Sequence, residues 1–192
     1  AAIVQEVSND YSVGLATFFE NSFKELTGDD NAIVAKVDYQ VKDVDFTAQL
    51  NSIKKENPDV IFAPGNYTES ALLTKQAREL GIDIPILGGD TWETPEFIDI
   101  GKEAVEGTVL STFFTTEVPI TSETFLEEYE KEYKKEPAAV TALGFDAYLV
   151  IYEAIQRAGS TDPVAIRDEI AKTSGFQGAA GIVTLDENGD AT

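Results

Sequence analysis

Residues 60–90 read VIFAPGNYTESALLTKQARELGIDIPILGGD and contain one complete strand–helix–strand unit. Val60-Ile61-Phe62-Ala63 is an apolar run too short for a buried helix, bounded by Asn57-Pro58-Asp59 on one side and Pro64-Gly65 on the other. Leu72, Leu73, Gln76 and Leu80 then recur at helical spacing, and Gly81 supplies the stop. Ile84-Pro85-Ile86-Leu87 is the next apolar strand, ending at Gly88-Gly89-Asp90.

The same unit extends in both directions. Upstream, Ala2-Ile3-Val4 predicts a strand and Ser8-Asn9-Asp10 a turn. Leu15, Phe18, Phe19, Ser22, Phe23 and Leu26 predict the buried face of a helix that ends at Gly28. Ile33 to Val37 predicts a second strand, and Phe46, Leu50 and Ile53 a second helix capped by Asp43 or Asp45. Downstream, Thr94-Pro95 predicts an N-cap followed by Pro at the first helical position, and Val109 to Phe113 a fifth strand. Repeated strand–helix units predict an α/β fold: a doubly wound parallel sheet with helices on both faces. Right-handed crossovers then bring the carboxyl end of every strand to one edge, where ligands bind.

After Phe114 the rhythm changes. Thr115 to Pro119 reads as a linker, and Thr121 to Lys135 as a charged amphipathic helix. Ala138 to Ala158 reads as a long helix, apolar around most of its circumference as far as Ile155. Asp162-Pro163 caps another helix running through Lys172, Gly181 to Leu185 is a strand, and Asp186 to Asp190 a polar turn. One strand for three helices predicts a mainly helical, partial second lobe. The strand-like start, the absent initiator Met and the late lone strand lead to the expectation that the chain belongs to something longer.

Composition narrows the function. The 192 residues include 35 Asp plus Glu, 14 Lys plus Arg, and no His, Cys or Met. That excludes the usual zinc sites, Cys or Ser–His nucleophiles and disulfides. A net charge of −21 opposes phosphate backbones, so no nucleic-acid partner is expected. Absent Cys is neutral as to compartment.

Three loops at the predicted edge carry the chemistry: Ser8-Asn9-Asp10-Tyr11, Pro64-Gly65-Asn66-Tyr67 and Gly88-Gly89-Asp90-Thr91-Trp92. Carboxylates among aromatic walls suit an ammonium group, and the glycines would let a ligand approach the backbone. The competing reading makes Asp10 and Asp90 helix caps and the aromatics loop padding. The first loop lacks the glycine spacing of a phosphate cradle. A phospho-acceptor receiver would need Asp where Ala63-Pro64-Gly65 stands and Lys where Phe113-Phe114 stands. Asp186, Asn188 and Asp190 match the start of a calcium loop, but Ala191 replaces its glycine. The run Glu127, Glu128, Glu130, Glu132 reads as a solvated helix face.

With those loops placed, the chain resembles the branched-chain amino-acid (leucine/isoleucine/valine) binding proteins of ABC transporters, of the type I periplasmic-binding-protein fold. The matching stretches, in order, are Asn9 to Ala16, Asp45 to Leu50, Lys54 to Asp59, Lys75 to Gly81, Gly88-Gly89-Asp90, Glu106-Gly107, Gly144 to Ala147 and Asp186 to Asp190. The resemblance implies two lobes joined by three crossover strands, with residues 1–114 forming most of the second, ligand-binding lobe. Residues 115–192 would be the returning segment of the other, incomplete lobe. It implies a binder with no catalysis and no cofactor, periplasmic or extracellular, cell-surface anchored in its parent, delivering solute to a permease. It places Asp90 at the position of the acidic residue that takes the ligand α-ammonium, and Tyr67 at the loop tyrosine that packs on the ligand. Tyr11 falls at the aromatic of the first loop, with Asn66 and Trp92 beside them. The same fold also serves as a ligand-sensing domain of receptors and regulators. Two further expectations are feeble amino-acid binding by these residues alone, and a homodimer that covers the apolar long helix.

Overall fold

The computed structural model describes residues 1–115 and 122–192, which divide into two compact units, Ala1–Thr112 and Phe113–Thr192. The first is built on β1 (Ala2–Glu6), every residue of which is buried. It pairs in parallel with β2 (Ala35–Tyr39) on one side and β3 (Ile61–Phe62) on the other. β4 (Ile86–Gly88) and β5 (Val109–Leu110) complete a five-stranded parallel sheet in the order β2-β1-β3-β4-β5. α1 (Asp10–Thr27), α2 (Thr47–Glu56), α3 (Tyr67–Glu79) and α4 (Pro95–Gly101) fill the crossovers, with 3-10 turns at Asp90–Trp92 and Lys102–Val105. Leu50, Ile53, Ile61, Leu73 and Ile86 are fully or almost fully buried in the core of this doubly wound α/β unit.

Several elements differ from the sequence reading; β5 pairs with β4 only at Val109–Leu110 of the run Val109 to Phe113, and Phe113 belongs to the second unit. β2 lies two residues further on than Ile33–Val37, because its register is set by pairing: Ala2 faces Ala35 and Glu6 faces Tyr39. The buried face of α1 is also not the row of bulky residues. Ser12 and Ala16 have no exposure, while Phe18 and Leu26 are 73% and 84% exposed. The Ser12 hydroxyl accepts the Glu6 N–H at 2.9 Å, so the helix lies against the sheet on its small residues. Phe19 follows that face and stacks on Phe62 at 4.3 Å. For α2, Asp45 accepts the Thr47 N–H at 2.9 Å, whereas Asp43 holds the preceding turn through the Gln40 N–H.

The second unit contains α5 (Glu123–Tyr133), α6 (Ala139–Ala158), α7 (Pro163–Ile170) and the antiparallel pair β6 (Phe176–Gln177) and β7 (Ile182–Val183). Phe114 packs here, with Phe125, Ala139, Ala142 and Ala179. Ser122 caps α5 and Asp162 caps α7, whose first residue is Pro163. The reading of Thr116 to Pro119 as linker, and of Thr121 as the start of a helix, falls outside the described residues. β6 was not foreseen, and β7 is two residues long where five were expected, because Gly178 and Gly181 bracket a tight turn. That turn is held by Asp146, 4% exposed, whose carboxylate accepts the N–H groups of Ala179 at 2.5 Å and Ala180 at 2.8 Å. Asp186 folds onto the N–H groups of Asn188 and Asp190, which hold its carboxyl below the usual range. Its oxygens thus serve the turn, as the polar-turn reading expects. Among the described residues no group of acidic side chains is arranged to hold a metal ion.

Candidate functional site

The strand order reverses direction between β1 and β3, and this switch point at the carboxyl edge of an open α/β sheet is where a crevice forms. The loops leaving β1, β3 and β4 meet there. In the first, Asn9 is extended and its side chain accepts the Tyr11 N–H at 3.0 Å, capping α1. This fixes Tyr11 in the first turn, from which its hydroxyl donates to Asp90 Oδ1 at 2.7 Å. The bond spans 79 residues and joins the loops of the two strands that flank β3.

The β3 loop enters α3 at Asn66, which is extended, partly exposed and makes no side-chain capping bond. Tyr67 opens the helix, partly exposed and packed in part on the core. Beneath it, the Gly65 carbonyl accepts both the Thr91 hydroxyl at 2.8 Å and the Trp92 indole N–H at 3.2 Å. The β3 and β4 loops are therefore joined at one carbonyl, and the β1 and β4 loops at one carboxylate.

The glycines of the β4 loop serve the protein's own side chains. A Cβ on Gly88 would lie 2.2 Å from Trp92 Cε2, and one on Gly89 would lie 2.2 Å from the Tyr11 hydroxyl. Their smallness lets Trp92 tuck under the loop and Tyr11 reach Asp90 across it. Trp92 is thus placed differently from the expectation of a ligand wall. It is 1% exposed and stacks on Phe97 at 4.7 Å, a core residue supporting the loop from below.

The capping alternative for the two aspartates is also decided. Asn9 caps α1 while Asp10 is exposed, and Gly89 occupies the cap position of the Asp90–Trp92 turn. Asp90 bonds to the Tyr11 hydroxyl, and no Lys or Arg pairs with it among the described residues. The Tyr11 phenol is pushed up to about 12, first by burial and then by the adjacent Asp90 carboxylate, which accepts its proton in a hydrogen bond. Asp90 and Tyr11 are in direct contact, and Tyr67 and Asn66 stand on the neighbouring loop. The sequence reading missed Gly65 and Thr91 as the tie between loops. The glycines before Tyr67 and Asp90, Gly65 and Gly88-Gly89, signal a close approach, although the sequence assigns it to a ligand.

The family described as "Periplasmic binding protein" matches residues 1–192. The Leu/Ile/Val-binding protein BraC3 of Rhizobium johnstonii is 32% identical over 152 residues, 78% of this chain and 41% of that protein. Leu/Ile/Val-binding protein homolog 1 of Brucella suis is 27% identical over 180 residues, 94% of this chain and 47% of that protein. The chain spans less than half the length of these curated relatives. Among solved structures, the leucine binding protein LivK of Thermotoga maritima shares 46% identity with a TM-score of 0.89, over 99% of this chain and 54% of that one. LivJ of Streptococcus pneumoniae, solved with isoleucine, shares 31% identity with a TM-score of 0.83, over 99% of this chain and 53% of that one.

Proposed function

The chain belongs to the periplasmic binding protein family, and from that premise we propose that it forms one wall of the ligand cleft in an extracytoplasmic solute-binding protein of an ABC transporter. The ligand is a branched-chain or related amino acid, and the role is binding without catalysis. Asp90 takes the α-ammonium, Tyr67 packs against the ligand side chain, and Asn66 and Tyr11 border the same edge. The protein hands its solute to a permease and is anchored at the cell surface. Residues 1–114 act as the ligand-binding lobe and 115–192 as the returning segment of the other lobe.

The observation that carries this reading is the state of Asp90. Its carboxylate sits partly buried at the switch-point edge, and it is bound by a phenol hydroxyl and by no basic side chain of the described protein. A carboxylate at this edge with no basic partner of its own suits a ligand cation, through a charge-assisted hydrogen bond. The Leu/Ile/Val-binding relatives and the isoleucine complex of LivJ support an amino acid as that cation's carrier. Among the described residues no helix is long and apolar enough to cross a membrane.

Calorimetric titration of the product of the whole reading frame with leucine, isoleucine and valine tests the proposal. Saturable heat with at least one of them supports it, and no heat with any of them overturns it. Residues 1–192 alone are expected to bind feebly, since they present one wall. Micromolar leucine affinity from these residues alone would overturn that part.

For residues 1–192 on their own we also propose a homodimer through α6. Val140, Tyr148, Ile151 and Tyr152 are 47–70% exposed along this helix. A contiguous apolar face of this kind is seldom left uncovered.

A further inference from the structure

We propose that Tyr11 is a positioning residue for Asp90, and that Gly89 is the gap through which it acts; the proposal rests on the reading of Asp90 as the ammonium-binding group. Three observations converge on it. The Tyr11 hydroxyl donates to Asp90 Oδ1 at 2.7 Å, which fixes one carboxylate oxygen and leaves Oδ2 to receive a ligand. The main chain that carries the phenol is fixed, because the Tyr11 N–H is held by Asn9 at 3.0 Å in the first turn of α1. A methyl group at position 89 would occupy the hydroxyl's place, 2.2 Å from the Tyr11 oxygen and 3.2 Å from Leu15 Cδ1.

The arrangement solves a problem set by the fold. Asp90 opens a single 3-10 turn of three residues, an element too short to hold a side chain rigidly by its own bonds. The backbone under that turn is tied down by Thr91 and Trp92 at the Gly65 carbonyl. Among the described residues, the carboxylate above it is tied by the Tyr11 hydroxyl. A carboxylate already oriented before the ligand arrives loses less side-chain freedom on binding, and that saving appears as affinity. Tyr11 thereby contributes to ligand binding through its hydroxyl, and its ring does not need to touch the ligand.

The two variants Tyr11→Phe and Gly89→Ala test this in complementary ways, in the product of the whole reading frame. The first removes the hydroxyl and keeps the ring. The second keeps the hydroxyl and displaces it, and the clash is with the free end of a side chain, so it yields by turning Tyr11. Each is expected to weaken leucine binding about tenfold, the worth of one hydrogen bond to a charged group. The double variant is expected to be no weaker than the poorer single one, because both changes break the same bond. The ligand-free protein supplies a readout that general loosening would not move in this way. With 13C-labelled aspartate, the Asp90 carboxyl resonance should shift in both single variants, in the same direction, and should not shift further in the double.

Losses that add in the double variant, or a Tyr11→Phe protein that binds leucine as the wild type does, would overturn the positioning role while leaving the amino-acid reading intact. A wild type that binds no amino acid overturns that reading, and the inference with it. If Gly89→Ala fails to fold, the affinity and carboxyl shift of Tyr11→Phe decide the matter alone.

Discussion

Replacing Gly88 by alanine should strike the support of the site without touching a candidate ligand residue. The added Cβ would lie 2.2 Å from Trp92 Cε2 and 2.4 Å from Cδ2 and Cζ2. Ordinary carbon–carbon contact begins near ~3.5 Å, so the indole must retreat by more than about 1 Å. It has nowhere to retreat: one face lies on Phe97 at 4.7 Å, Phe97 is itself 3% exposed, and the indole N–H is bonded to Gly65. Overpacking of this kind costs about 1–3 kcal/mol, and losing the indole bond adds about 1 kcal/mol, giving about 2–4 kcal/mol in all. With a urea dependence of about 2 kcal/mol per molar, the unfolding midpoint should fall by about 1–2 M. Trp92 is the only tryptophan, so its emission reports this unit directly, and a red shift in the native baseline should accompany the fall. Gly14→Ala is the internal control: the added Cβ meets nothing within 4 Å, and a helix interior gains about 0.5–1 kcal/mol from the change. A Gly88→Ala protein that unfolds at the wild-type midpoint with unchanged emission would refute the packing argument.

The remaining predictions concern the turn of the second unit, alkaline pH and association. Asp146→Ala leaves the buried Ala179 N–H and the partly buried Ala180 N–H without an acceptor and should cost about 1–3 kcal/mol, read as accelerated amide exchange at both. Protection equal to wild type at both amides would contradict the clamp. The Tyr11 phenol is raised to about 12 in the folded protein against about 10 in an unfolded chain, so folding favours its neutral form. Its stability contribution is complete below about pH 10 and is lost as pH climbs towards about 12; the urea midpoint should therefore fall less steeply over that window in Tyr11→Phe than in wild type. Parallel curves would contradict the placement of Tyr11. Native mass spectrometry of residues 1–192 at micromolar concentration should show dimer, and a strictly monomeric mass would count against α6 as a self-association face.

Strands β1, β3 and β4 and helix α3 were legible because buried parallel strands read as short apolar runs between turn residues. The face of α1 was not, because counting bulky residues favours Phe18 and Leu26, whereas the contact is made by Ser12 and Ala16. Hydropathy has no means of registering a serine that is buried because it accepts the N–H of Glu6. β6 is two residues between glycines and carries no periodicity to detect. In the site, the loop residues were legible as a set because the topology gathers the carboxyl ends of the strands. Their mutual arrangement was not, since the partners Tyr11 and Asp90 lie 79 residues apart and meet across β3. Trp92 was misplaced for a related reason: in a single 3-10 turn, sequence spacing does not say which side chain faces the core.

The central claim, that Asp90 is the carboxylate that receives an amino acid's ammonium, is tested most directly by calorimetric titration of leucine into the wild-type and Asp90→Asn products of the whole reading frame. The substitution keeps the shape of the side chain and one acceptor oxygen for the Tyr11 hydroxyl, and replaces the charge and the second acceptor by an NH2 donor. The account predicts saturable leucine binding by the wild type and a loss of about 100-fold or more in the variant, as expected when a desolvated charge pair loses one partner. Wild-type leucine affinity in Asp90→Asn would contradict it.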